Sequence, residues 1–453
     1  MRTCIVFNAG GASMSGVARL LCNSGWRVIG HEREPNFRTD ALASSGIDVK
    51  FGGDLDISFD AVQFGVYSSV EDPGELRARF RLPDAVVLHS QFALIDSLSF
   101  GSISVAVAGS FGKTITTAIT VAALDAAGLK ASFTCGGEVI SESSNSRVGS
   151  SPIWVIEAVE THGNLLHLRP ALSLILNIES HSLLPLFASF VRNTTGVTIL
   201  NADDPVCRKL LDLFSGSPSV LRMSFDDPSA DYRATQLACP HGRISFALSF
   251  RDVNIGSIQS QLLTTFSPYN VLGAAAIAHQ LKASHEDIVS GCSSFAGVRN
   301  RFEVRFRMGT TSVIADIAHH PASIRASLEL ARTHLARRVV VIYRPHMYAE
   351  LDEEGSATKA ALEVADRVIL RDVLSFKDRL QGGPTSREFV RRCGDPAKWA
   401  YAEINPQLSI QAEALDDTAV IIMGMYQDDL LIRAVCSMVT SRCAGPNSNG
   451  GHP

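Results

Sequence analysis

Short apolar runs and amphipathic stretches alternate along this chain. "TCIVFNA" reads as a strand, "SGVARLLCNSG" as a helix closed by glycine, and "WRVIGHE" as the next strand. "AVQFGVYSS" and "DAVVLHS" repeat the strand signal, each before a helical pattern. A second block opens with "ISVAVAG" and the helix "TAITVAALDAAG", then offers the strands "PIWVIEA", "LSLILNI" and "GVTILNA". From about Ser219 to Leu263 the pattern turns to alternating strands ("RISFALSF", "VNIGSIQSQLL"), as in an antiparallel patch, and the helix "PYNVLGAAAIAHQLKA" follows. A third block carries "TSVIADIAHHP", "RRVVVIYRPH", "ADRVILRDV" and "TAVIIMG" with helices between. The rhythm predicts three α/β units in series, each on a parallel sheet, the middle one with added antiparallel strands.

Length agrees, since 453 residues exceed one ordinary core. The expected boundaries are 1–100, 101–306 and 307–440, with a turn-former tail at 441–453 expected to be disordered. A net charge of −5 argues against a nucleic-acid or anionic-membrane binder and leaves anion binding to local sites. No apolar run reaches the roughly 18 residues of a membrane span. "MRTCIVFNAGG" turns glycine-rich too early for a secretory segment, and the nine cysteines are scattered without a C-x-x-C pair. A cytoplasmic protein with reduced thiols is the expectation.

The strongest chemical signal is "VAVAGSFGKTITTAIT", Val105–Thr120. A strand, a glycine turn and a helix N-terminus present backbone N–H groups and a positive dipole end to an anion. Gly109, Ser110 and Gly112 would form the cradle, Lys113 would reach outer phosphates, Thr114 would offer a hydroxyl to Mg²⁺, and Thr116 lies nearby. Glu157 ends the strand "PIWVIEA", where a carboxylate suits a hard cation, and His181 follows another strand end as a second ligand candidate. Glu160 is out of phase and reads as support or solvent-facing. In the first block, Gly11, Ser13 and Gly16 form an imperfect diphosphate loop, Glu32 ends the second strand where ribose-binding acids sit, and Ser69 ends a later strand. In the third, Arg301 offers a fork for phosphate, Asp316 an acceptor for ribose, and His319, His320 and His346 a substrate rim at strand ends.

Gly109–Thr114 resembles the short phosphate loop of the Mur ligases, G-T-x-G-K-[TS]. "IEAVETHGNLLHLRP", "LILNIES", "ILNADDPVCRKLL", "YNVLGAAAIA", "GVRNRFE", "IAHHPASI" and "RPHMY" follow in that family's order over nearly the whole chain. The resemblance implies a Rossmann-like N-terminal domain for a UDP-sugar carboxylate, a central ATPase domain, and a Rossmann-like C-terminal domain for an amino acid or other amine. It implies ATP and Mg²⁺, an acyl-phosphate, and attack by the amine. By the same matching Glu157 holds Mg²⁺, Asn270 and Arg301 contact ATP, and Asp316 the ribose.

Departures cluster on the substrate side. The family's D-H-x-D is Ser180-His181-Ser182-Leu183-Leu184, so the metal-ligating histidine is shifted or lost. Val159 and His162 replace aspartates, His346-Met347-Tyr348 lacks an arginine, Ile317 replaces an aromatic residue, and a late G-A-G turn is Gly424-Met425-Tyr426. An ATP-dependent amide ligase, possessing altered substrate surfaces and suited to a specialised metabolite, is the expectation. A non-catalytic homologue that binds nucleotide or a partner is the competitor, separated from it by ADP formation.

Overall fold

The computed structural model describes residues 2–53, 55, 57–239, 243–261, 266–351, 355–373, 384–402, 415–424 and 429–443. The chain divides into two compact units that part at Val298/Arg299.

Among the described residues the first unit carries two sheets. One is parallel throughout: β1 (Thr3–Val6), β2 (Arg27–Glu32), β3 (Asp48–Phe51), β4 (Val62–Tyr67) and β5 (Val87–Ser90), in the order β3-β2-β1-β4-β5. Chain direction across the sheet reverses between β1 and β4, so their carboxyl ends open a crevice. The other sheet contains β6 (Ile103–Ala108), β7 (Ser132–Val139), β8 (Ser144–Arg147), β9 (Ile153–Glu157) and β10 (Leu172–Ile175). It continues with β11 (Val197–Asn201), β12 (Val220–Ser224), β13 (Tyr232–Ala238), β14 (Ile244–Phe250) and β15 (Val253–Ser260). Their order is β15-β14-β13-β12-β11-β10-β6-β9-β7-β8. β6 and β10 are buried at their inner positions and lie mid-sheet, as continuous apolar runs require.

The antiparallel patch begins later than expected. β12 still runs parallel to β11, and only β13, β14 and β15 form the meander. Alternating burial along β14 shows one face packed and one less covered.

The two sheets share one apolar core, in which Val6, Val17 and Phe92 from the first pack with Ile156, Leu165 and Phe187 from the second. A polar clasp joins them as well. Asn145 Nδ2 on β8 donates to Ala12 O (2.6 Å) and Ser15 Oγ (3.1 Å), and Ser146 Oγ donates to Gly16 O (3.0 Å). Gly16 permits this approach, because a Cβ there would stand 3.1 Å from Asn145 Nδ2. Asn145→Ala removes both donations, although Ser15 Oγ still donates to Ala12 O (3.2 Å). It is expected to lower stability by about 1–3 kcal/mol, read as an earlier urea midpoint.

The second unit holds β16 (Glu303–Met308), β17 (Thr311–Asp316), β18 (Arg338–Tyr343), β19 (Arg367–Leu370), β20 (Trp399–Tyr401) and β21 (Thr418–Met423), in the order β16-β17-β21-β18-β19-β20. All its pairs are parallel except β16 with β17. The expected boundary at 306/307 therefore cuts β16, whose hairpin partner β17 holds it in the second unit. The last helix, Asp429–Cys443, runs three residues into the expected tail, and the remainder lies outside the described residues, as does Met425–Asp428 of the late glycine turn. Among the described side chains, the eight cysteines from Cys4 to Cys436 are free thiols.

Candidate active site

In the first unit, β6 delivers the chain into Gly109–Gly112 and then into the helix Lys113–Ala126. Gly109 (φ 139°) and Gly112 (φ 85°) adopt backbone angles that suit glycine. No side chain caps the helix, and its first-turn N–H groups have no intrahelical acceptors, the arrangement that suits an anion. The flanking strands are β9 and β10, and each contributes at its carboxyl end.

From β10, Asn177 braces the loop. Its carbonyl accepts from Ser110 N (3.1 Å), its Oδ1 from Phe111 N (2.8 Å), and its Nδ2 donates to Phe111 O (3.1 Å). From β9, Glu157 accepts from Thr114 Oγ1 (2.9 Å) and Gly136 N (2.6 Å). A hydroxyl and a carboxylate meet there, a hard-oxygen pair suited to Mg²⁺. Three residues on, Glu160 Oε2 accepts from Lys113 Nζ at 2.9 Å. Lys113 also donates to Gly109 O (2.6 Å) and Ser110 O (3.3 Å). Glu160 is thus the lysine's counter-ion rather than a solvent-facing residue.

The helix Ser267–Gln280 closes the far side with Asn270, which is 1% exposed, and both of its amide atoms are unpartnered. Thr116 and Thr117 are fully buried, with unpartnered hydroxyls one turn into the loop's helix. Buried polar atoms without partners are costly, and at the rim of a phosphate cradle they fit a polar nucleotide. Phe111 stacks on Phe266, with ring centroids 5.4 Å apart and planes within 2°. His181 begins the exposed turn His181–Leu183, which Ser180 caps by accepting from Ser182 N. Among the described residues no group of three or more His, Cys, Asp or Glu side chains is preassembled for a metal. Protein ligands would come from Thr114 and Glu157.

The first sheet brings its candidates to one end. Gly11 N donates to Asn8 O (2.9 Å), Ser13 precedes the helix Met14–Asn23, and half-buried Ser69 follows β4. Glu32 is already engaged, with Oε2 accepting from Gly10 N and Oε1 from Arg33 N, each at 2.9 Å.

In the second unit, Arg301 sits between Asn300 (φ 58°) and Phe302 (φ 48°), two non-glycine residues in left-handed conformations. Asparagine adopts that region readily, whereas for Phe302 it is costly. Asn300 O accepts from Ile317 N (2.8 Å), pinning this turn to the end of β17, and Arg301 Nε is buried and unpartnered. Asp316 is 6% exposed and accepts from Ser327 Oγ and Ala318 N. Burial pushes its carboxyl above the usual range, against the pull of Ser327 and the Arg301 charge. The carboxyl expected to meet a ribose is therefore engaged with this unit's own donors. His319 Nδ1 lies 3.0 Å from Ile317 O, and His320 precedes the helix Pro321–His334. Tyr343 Oη donates to Glu350 Oε2 (2.6 Å), which also accepts from His346 N (3.1 Å), and lies 3.3 Å from His319 O. The backbones at His319 and His346 are thus linked through Tyr343 and a buried Glu350 that the pattern did not flag, while His320 stands outside these bonds.

Three family models match in order: "Mur ligase family, catalytic domain" over 7–85, "Mur ligase middle domain" over 183–278, and "Mur ligase, glutamate ligase domain" over 300–425. A UDP-N-acetylmuramate–L-alanine ligase of Anaeromyxobacter is 31% identical over 402 residues, 85% of this chain and 86% of its own. The chain belongs to the Mur ligase family. It is accordingly an ATP-dependent, ADP-forming carbon–nitrogen ligase that uses Mg²⁺. The enzyme of the same name from Syntrophus aciditrophicus is 30% identical, over 82% of this chain and 79% of its own. Among solved structures, the UDP-N-acetylmuramate–alanine ligase of Thermotoga maritima shares the Mur ligase fold at TM-score 0.78 and 21% identity, covering 97% of this chain and 99% of that one. A murein peptide ligase of Psychrobacter arcticus follows at 0.70 and 21%, covering 96% and 99%. The three-domain Mur ligase architecture is thus the fold, although Gly109–Thr114, Glu157 and Glu160 fall between the matched stretches.

Proposed function

We propose that this Mur ligase activates a carboxylate on a UDP-sugar and joins it to an amino acid, as the names of its relatives describe, in peptidoglycan assembly. The observation that carries the reading is the convergence of Lys113, Thr114, Glu157 and the unpartnered Asn270 around one uncapped helix terminus. A carboxylate has no usable leaving group until an oxygen attacks the γ-phosphorus of ATP and ADP departs. Attack by an amine on the acyl-phosphate then expels phosphate and, with loss of a proton, leaves an amide. For the first step this chain supplies position and charge. First-turn amides hold phosphate oxygens, Lys113 neutralises the charge that moves toward ADP, and Asn270 is placed to accept and donate at the rim. Mg²⁺, when bound at Thr114 and Glu157, adds further neutralisation. His181 and Arg301 remain candidates for the same chemistry, and Gly11, Ser13, Gly16, Glu32, Ser69, His319, His320 and His346 for the two substrates. ATP and UDP-sugars are cytoplasmic pools, so that location goes with the reading. Among the described residues no helix is long and apolar enough to cross a membrane.

A second reading, the same chemistry on a different carboxylate in a specialised pathway, is favoured by two features. Met347, 41% exposed, stands where the resemblance implies a substrate-binding arginine, and Glu32 takes the Gly10 amide that a diphosphate would use. ADP formation with UDP-N-acetylmuramate plus L-alanine decides. The first reading expects turnover that needs both compounds. Turnover only with other acid–amine pairs supports the second, and ATP binding without ADP formation on a broad panel overturns both.

A further inference from the structure

Lys113 and Glu160 are held closer and drier than a surface pair. Nζ and Oε2 are 2.9 Å apart, and the two side chains are 12% and 18% exposed. The lysine is folded back over its own loop, with Gly109 O and Ser110 O as its other acceptors. An ammonium with three donors is thus saturated by three oxygens of the protein. Glu160 belongs to a different segment from the loop, being carried on the chain beyond β9. Two residues on, His162 (φ 54°) and Gly163 (φ 70°) both take left-handed conformations, and Gly163 N donates back to Glu160 O (2.9 Å). A tight turn therefore fixes where the Glu160 backbone stands, and with it the carboxylate. Glu157, on the same segment, is bound to Thr114 and Gly136 instead, so the two acids have separate tasks.

From this geometry we propose that Glu160 is a positioning residue that competes with the nucleotide for Lys113. The inference rests on the reading of Gly109–Thr114 as a nucleotide-phosphate cradle. A terminal phosphate draws Lys113 only by breaking the Glu160 bond, so affinity is reduced by the fraction of time the lysine faces the cradle. When charge leaves the site, Glu160 recaptures the lysine and favours release of ADP. The carboxylate thereby sets a balance between capture of ATP and discharge of product.

The test is Mg²⁺-free ADP binding by calorimetry to the full chain and to Glu160→Gln, Lys113→Met and the double variant, with steady-state kinetics alongside. Glu160→Gln keeps the shape and removes the charge. It is expected to tighten ADP about three- to thirtyfold, between the effects of an exposed and a buried ion pair. KM for ATP and kcat are expected to fall together, because product leaves more slowly. The tightening is expected to shrink to less than half in the Lys113→Met background, where no lysine is left to release. Glu160→Asp, which retains the charge, is expected to return ADP affinity toward that of the parent. Equal tightening in both backgrounds overturns the proposal in favour of direct repulsion between Glu160 and phosphate. Weaker binding in Glu160→Gln overturns it in favour of a direct ligand role, and unchanged binding shows an inert pair. Should the parent chain itself bind no ADP, the nucleotide reading fails with it.

Discussion

Lys113→Ala is expected to cut ADP formation by about 100- to 1,000-fold, the range for removing one donor aimed at developing charge. Among the described residues hydrogen-bonded to the loop, no other side chain is a cation. Asn177 is neutral and bound to the loop backbone, and the hydroxyls of Ser110 and Thr114 are already engaged with Glu179 N and Glu157. Removing the lysine also strands Glu160, whose carboxylate is only 18% exposed, beside a site meant for phosphate. Charge repulsion therefore adds to the lost attraction. The measurement is coupled ADP release at saturating Mg-ATP with an active acid–amine pair. Activity within threefold of the parent would remove Lys113 from the chemistry and return the phosphate to the helix terminus alone.

Gly112→Ala is expected to damage the site nearly as much, by a steric route. A Cβ at Gly112 would stand 2.3 Å from Asn270 Oδ1, with the residue at φ 85°. A left-handed non-glycine residue costs about 1–3 kcal/mol, and the contact forces the Asn270 amide to turn away or else the loop or the helix Ser267–Gln280 to shift. Both carry nucleotide candidates, so ATP affinity is expected to fall by about tenfold or more, since each 1.4 kcal/mol lost is tenfold. Gly128→Ala provides the control. Gly128 has φ 71° but nothing within 4 Å of an added Cβ, so it suffers the backbone strain without the collision. Equal losses of nucleotide affinity in the two variants would mean that backbone strain alone, not the Gly112–Asn270 contact, shapes the cradle.

Much of the candidate phosphate site was legible because it is local. The apolar run of β6, two glycines, Lys113 and a helix-forming tail lie within sixteen residues, and their geometry follows from hydrogen bonds between near neighbours. Glu157 was legible for a related reason, as a lone acid ending a buried strand, a place where α/β sheets put ligand groups. Asn177 carried a weaker signal at the end of the β10 run. Glu160 carried none, because its phase along the chain points away from the strand's buried face. Only the left-handed turn at His162 and Gly163 fixes it against the lysine. Glu350 was hidden in the same way, an acid in a polar stretch that Tyr343 and the backbones of His346 and Met347 hold in place.

By itself the sequence determined the class of sheet, the strand–turn–helix form of the candidate phosphate loop and the order of the motifs, since each depends on periodicity or on groups a few bonds apart. Tertiary structure alone decided that the first two sheets share a core, that Asn145 clasps the glycine loop, and that Glu160 holds Lys113. Those are contacts between residues distant in the chain, chosen by burial and by the pairing of buried polar groups. A single sequence carries no local mark of which distant partner will satisfy them.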